Sequence, residues 1–185
     1  MKQHWSIALS TALVAFALAS NSSAEKLPPG QVDFGSFTPP EKGGEYVEVN
    51  VTSSLISFAA RLIEKEEPDI AHLLNGLHQV RVTVIGMNDD NRPDLKQRAA
   101  KVRKELDSKG WERVVTAQKE DQDVSVYVKS GENNSVLGVA AVVLDGNNQA
   151  VFVNVVGDIR ADQLALLGEK LHIDPLKKIG EATQK

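Results

Sequence analysis

The chain has 185 residues, 42% of them apolar and 25% charged, with no cysteine and a formal net charge of −4. That length suits one ordinary domain. The missing cysteine excludes disulfides, a thiolate zinc site, a catalytic thiol and the acylated cysteine of a bacterial lipoprotein. Its cations are dispersed and outnumbered by acids, which excludes a phosphate-neutralising nucleic-acid surface.

The first 24 residues read as a secretory signal peptide. Lys2 supplies the basic start, Ile7–Ala19 is almost wholly apolar, and Ser22-Ser23-Ala24 is a small-x-small cleavage site. As a helix, Ile7–Ala19 rises only about 20 Å, too short for a hydrocarbon core of about 30 Å. No later stretch is apolar enough to span a membrane. Cleavage after Ala24 removes one lysine and no acid, taking the net charge from −4 to −5. A secreted domain without disulfides points to the bacterial periplasm.

Residues 25–44 form an arm broken by Pro28-Pro29-Gly30, Pro39-Pro40 and Gly43-Gly44, a composition that favours extended or irregular chain. Val32, Phe34 and Phe37 are apolar enough to pin it to a domain spanning residues 45–174. Glu45–Val51 alternates Val47, Val49 and Val51 with polar residues, which predicts a first strand. Thr52, Ser53 or Ser54 then offers an N-cap to a helix carrying Leu55, Ile56, Phe58, Ala59, Leu62 and Ile63. Pro68 interrupts it, and an apolar stripe resumes at Ile70, Leu73, Leu74 and Leu77, with Gly76 placed to end it. His78–Gly86 alternates again. A polar turn, Asn88-Asp89-Asp90-Asn91, leads to a helix over Asp94–Lys109 with Leu95, Ala99, Val102 and Leu106 inward and Gly110 at its close.

Four strands follow with short connections: Trp111–Gln118, Asp123–Lys129, Ser135–Leu144 and Gln149–Val156, the last after an Asp145-Gly146 hairpin signal. Short connections require antiparallel pairing. A final helix is expected over Asp162–Leu171, and a polar tail over residues 175–185. The order β-α-β-α-β-β-β-β-α predicts an α+β fold, a single mostly antiparallel sheet with helices packed on one face.

Gly110-Trp111-Glu112-Arg113-Val114-Val115, Val126-Tyr127-Val128-Lys129 and the strand end Ala150–Ile159, with Leu164 and Leu167 beyond it, resemble small exported bacterial proteins grouped as domain of unknown function 4252. Val32-Asp33-Phe34-Gly35, the Leu73–Val84 segment and the signal peptide fit as well. The resemblance covers nearly the whole chain after Ala24. It implies no activity, cofactor or catalytic residue, because the family has none established. Through members encoded beside envelope-stress sigma-factor systems, it implies a link to envelope stress.

The residues offer little chemistry. His72 and His78 are not at the i,i+4 spacing of a helical metal pair, and His172 stands beside Asp174 without a partner motif. Asn88–Asn91 with Asp94 is oxygen-rich but lacks the spacing, central glycine and terminal glutamate of a calcium loop. Turn and cap duty accounts for it. Neither G-x-S-x-G nor S-x-x-K occurs after residue 24. Gly157-Asp158 at a strand end could place a carboxylate at the sheet rim, or could simply turn the chain and cap a helix. No metal and no cofactor is expected. If Val124, Val126, Val128, Val151, Val153 and Val155 face the helices, then Tyr127, Phe152 and Val156 lie on the opposite face. That face is then the candidate interaction surface, unless the arm or the last helix covers it. The reading that follows is a non-enzymatic exported domain that binds a protein or other envelope component through one sheet face. A small-ligand carrier or a hydrolase with an unrecognised site is the alternative.

Overall fold

A computed structural model describes residues 27–39, 44–120, 122–132, 135–146, 148–160 and 163. The signal peptide expected over residues 1–24, the helix expected over Asp162–Leu171 (Gln163 apart) and the tail expected over residues 175–185 lie outside them. The elements are β1 (Tyr46–Thr52), α1 (Ser53–Ile63), α2 (Pro68–Gly76), β2 (Leu77–Gly86), α3 (Arg92–Ser108), β3 (Glu112–Lys119), β4 (Gln122–Ser130), β5 (Ser135–Asp145) and β6 (Gln149–Arg160). Pro68 sits at the first position of α2, where its missing N–H has no partner to lose, so α1 and α2 are separate helices. Gly110, at φ 72°, takes the left-handed conformation that ends α3.

The strands form one six-stranded sheet in the order β1-β2-β6-β5-β4-β3. Every neighbouring pair is antiparallel. The protein is therefore α+β, an antiparallel sheet with helices packed against it. The expected placement of all helices on one face is corrected, because the helices divide between the two faces. β2 and β3 run in the same direction near opposite edges, so the chain between them must cross the sheet. It does so as α3, whose Leu95, Ala99, Val102 and Leu106 pack on one face with Tyr127, Ala140, Val142 and Phe152. α1 and α2 pack on the other face, where Ile56, Leu73 and Leu77 meet Val128, Val136 and Ile159.

The arm shares the α3 face. Val32 and Phe34 are buried there, and Phe34 and Phe37 pack on Phe152 with ring centroids 5.6 Å and 4.9 Å away. Arg98 of α3 clamps the arm from above. Its guanidinium lies 4.6 Å from the Phe37 ring centroid and donates to the Phe34 carbonyl at 2.9 Å.

Beneath the arm, Asn154 of β6 is fully buried. Its Oδ1 accepts from the Val32 N–H at 2.9 Å. Its Nδ2 donates to the carbonyls of Gly30 at 3.0 Å and Val139 at 3.1 Å. One amide thus satisfies arm and sheet together, which is the condition for burying it. The contact is so close that a Cβ on Gly30 would stand 1.9 Å from the Leu137 carbonyl oxygen, and one on Gly138 would stand 2.3 Å from the Gly30 carbonyl oxygen.

Asn154→Ala should cost about 3 kcal/mol in equilibrium urea unfolding, since it strands a buried donor and buried acceptors at once. Tyr127 should behave in the opposite way. Its ring is fully buried and its hydroxyl has no hydrogen-bond partner. Burial raises its pKa above the ordinary 10.0, against the pull of the nearby Arg113 guanidinium. The fold holds the neutral phenol, so stability is unaffected below the ordinary value and is lost as pH rises through the raised one. Tyr127→Phe should leave stability unchanged or raise it by about 1 kcal/mol at neutral pH, and should remove one of the two tyrosinate steps in an absorbance titration.

Candidate interaction surface

The strand register lines up apolar side chains across the whole sheet on the face of α1 and α2. One row runs Val47, Val84, Val151, Val143, Val124 and Ala117. The next runs Val49, Val82, Val153, Ala141, Val126 and Val115. A third joins Val51, Val80, Val155, Val139 and Val128. The third row packs under α1 and α2. Neither buried cluster includes a residue of the first two rows, which are half-buried in the middle of the sheet and exposed at β1 and at Ala117 of β3.

α1, which follows β1 directly, adds further exposed apolar side chains. That helix packs against α2 and over β1 and β2 through Ile56 and Ala60. Its second apolar stripe, at i, i+3 and i+7, is left outside: Leu55 is 55% exposed, Phe58 55% and Leu62 67%. Of the seven large apolar side chains exposed among the described residues, five belong to β1 and α1. Exposed apolar residues scattered singly carry no meaning, but a contiguous group at one place marks a contact surface.

The sheet's two edges are built differently. β3 carries Glu112, Arg113 and Lys119 and a bulge between Arg113 and Val115, devices that discourage strand pairing. β1 pairs with β2 over its full length without a register shift. Its one charge is Glu48, which accepts a hydrogen bond from the Tyr46 hydroxyl at 2.9 Å. That bond raises the Tyr46 pKa above 10.0.

Tyr127, Phe152 and Val156, read from sequence as the candidate interaction face, are buried at 0%, 0% and 5% exposure. They are correctly placed opposite the valines but form the inside of the molecule. The arm and α3 cover the aromatic side, the alternative the sequence had left open, while Val128 and Val155 face α1 and α2. Which side is closed depends on where α3 crosses, and strand parity carries no such information.

The remaining candidates do not form a chemical site. His72 and His78 are exposed. Asn88 and Asn91 spend their side-chain oxygens on turn N–H groups at 2.8–3.1 Å, as an Asx turn does. Ser53, His78 and Asp158 line one cleft of about 550 Å³ beside Pro28 and Pro29. No hydrogen bond joins the three, so the arrangement lacks the nucleophile–base contact that acyl transfer needs. Among the described residues no three His, Cys, Asp or Glu side chains converge as metal ligands.

A family described as Domain of unknown function (DUF4252) matches residues 41–167. The chain belongs to that family. The match takes in every strand and helix described above, so this DUF4252 fold includes both the valine floor and the exposed β1–α1 edge. No curated protein and no solved structure matches the chain.

The two aromatic positions Phe152 and Phe58 should respond differently to truncation. Phe152→Ala should cost about 3–5 kcal/mol in denaturant unfolding, as in a packed core. Phe58→Ala, measured in dilute solution, should cost less than about 1 kcal/mol, as at an exposed site.

Proposed function

We propose that this DUF4252 chain is a non-enzymatic exported domain that binds a protein in the bacterial envelope through the valine floor of its sheet. One observation carries the reading: two of the three cross-strand valine rows lie outside both buried clusters. A solvated sheet face alternates apolar with polar residues, and this one does not. β-branched side chains hold one main rotamer, so such a floor is ordered before a partner arrives and loses little entropy on binding. The dispersed charges and the unlinked Ser53, His78 and Asp158 give no support to nucleic-acid binding or to a hydrolase. The signal-peptide pattern of residues 1–24 supports export, and the lack of cysteine fits a periplasmic location.

Two measurements test this. The protein recovered from the envelope fraction should begin at Glu25 by N-terminal sequencing. An intact Met1, or protein held in the cytoplasm, would refute export. The double substitution Val126→Thr and Val153→Thr keeps side-chain volume while adding hydroxyls to the floor. It should abolish capture of the partner from envelope extracts and shift the melting temperature by no more than about 4 °C, the size of a 1 kcal/mol change in a domain of this length. Unchanged capture by a folded double variant would remove the floor as the binding site.

A further inference from the structure

We propose that β1 pairs antiparallel with β1 of a second copy of this chain, joining two sheets edge to edge into a twelve-stranded sheet. The inference concerns the rim of the molecule and does not depend on which partner occupies the valine floor.

Four features converge at β1. It is an edge strand, so among the described residues the backbone N–H and C=O groups on its outer side have no strand neighbour. It has neither bulge nor proline, and the opposite edge, β3, has a bulge and three charges. Val47 and Val49 are 44% and 41% exposed. The helix that follows β1 directly carries the exposed Leu55, Phe58 and Leu62.

The sequence of β1 is complementary to itself in one register. A two-fold axis through Val49 sets Val49 opposite its own copy, Val47 opposite Val51, and Tyr46 opposite Thr52. The one charge, Glu48, then faces Asn50, a hydrogen-bonding neighbour without charge, and no like charges meet. The valine rows run on without a break into the second sheet. Because the strands are antiparallel, the Val47 end of each copy lies beside the Thr52 end of the other, where α1 begins. The apolar stripe of each α1 therefore borders the exposed valines of its partner. A strand pair alone falls short of the roughly 800 Å² per partner of a stable interface. The exposed Leu55, Phe58 and Leu62 of each α1 add apolar area to that of the strand pair.

The absence of cysteine makes the register directly testable. The chain from Glu25 onward should sediment as a dimer. A single Val49→Cys should form a disulfide-linked dimer when oxidised with diamide, since directly opposed residues have Cβ atoms about 4.5–5.5 Å apart. Val47→Cys alone should not, because the two copies of residue 47 are about 14 Å apart in this register at 3.4 Å per residue. A mixture of Val47→Cys and Val51→Cys should link. Val49→Lys, which sets two ammonium groups against each other, should raise the dimer dissociation constant at least tenfold with an unchanged far-UV circular dichroism spectrum. Linking of Val47→Cys as readily as Val49→Cys would overturn the register. A native chain that sediments as a monomer at its highest soluble concentration would overturn the dimer. Loss of partner capture in the Val126→Thr, Val153→Thr variant would still be seen in that case, so failure here is separable from failure of the floor as a binding site.

Discussion

The fold depends on the buried amide of Asn154. An extended arm has no secondary structure of its own and must satisfy its backbone groups elsewhere. Asn154 accepts the Val32 N–H and donates to the Gly30 carbonyl, and the same side chain reaches Val139 on the neighbouring strand. This fixes the arm at one height above the sheet. Phe34 and Phe37 can then close over Phe152, and α3 can pack beside them. The glycines at 30 and 138 are the steric half of the same contact, since a side chain at either would meet backbone. Without this junction Phe152 would lose the cover of Phe34 and Phe37.

Much of this architecture is written in local sequence. The period-two valines announce β1, β2, β4 and β6. Pro68 and Gly110 mark helix boundaries, and the Asp145-Gly146 turn marks the β5–β6 hairpin. The side of the sheet that closes is not local. In β6, Val151, Val153 and Val155 alternate with Phe152, Asn154 and Val156, so both faces look apolar. Side-chain size held a usable signal, because a face carrying Tyr127 and Phe152 has more area to bury than a face of valines. Asn154 gave no hint of its role: a lone polar residue in a strand reads as outward-facing. The exposed edge was equally hidden. The chain gives strand order along the sequence, whereas edge status comes from pairing order, and β1 is an edge only because β6 inserts between β2 and β5.

The two sheet faces differ in the kind of side chain they use. The arm face mixes Phe152 and Tyr127 with Ala140, Ala150 and Gly138, so large and small residues interdigitate and close on a single packing. The opposite face repeats one β-branched residue across six strands. Such a surface is even and stiff, with few features that demand a unique neighbour. The arm face is a closed core, whereas on the valine face only the third row packs under α1 and α2. This contrast supports a binding role for the domain, and the guarded β3 edge with the unguarded β1 edge supports a direction for growth of the sheet.

The middle position of β6 also orders the folding of the molecule in time. β1 and β2 form one local hairpin-like unit around α1 and α2, and β3, β4 and β5 form a meander. Among the described residues the two units share no strand pairing except through β6, which lies between them. Its contacts with β2 span about seventy residues, a separation that makes pairing slow because a long loop must close first. Until Gln149–Arg160 emerges, β2 and β5 are both open edges flanked by valines, and the nascent chain has no complete sheet. The six-stranded sheet therefore closes only when Gln149–Arg160 is in place between β2 and β5.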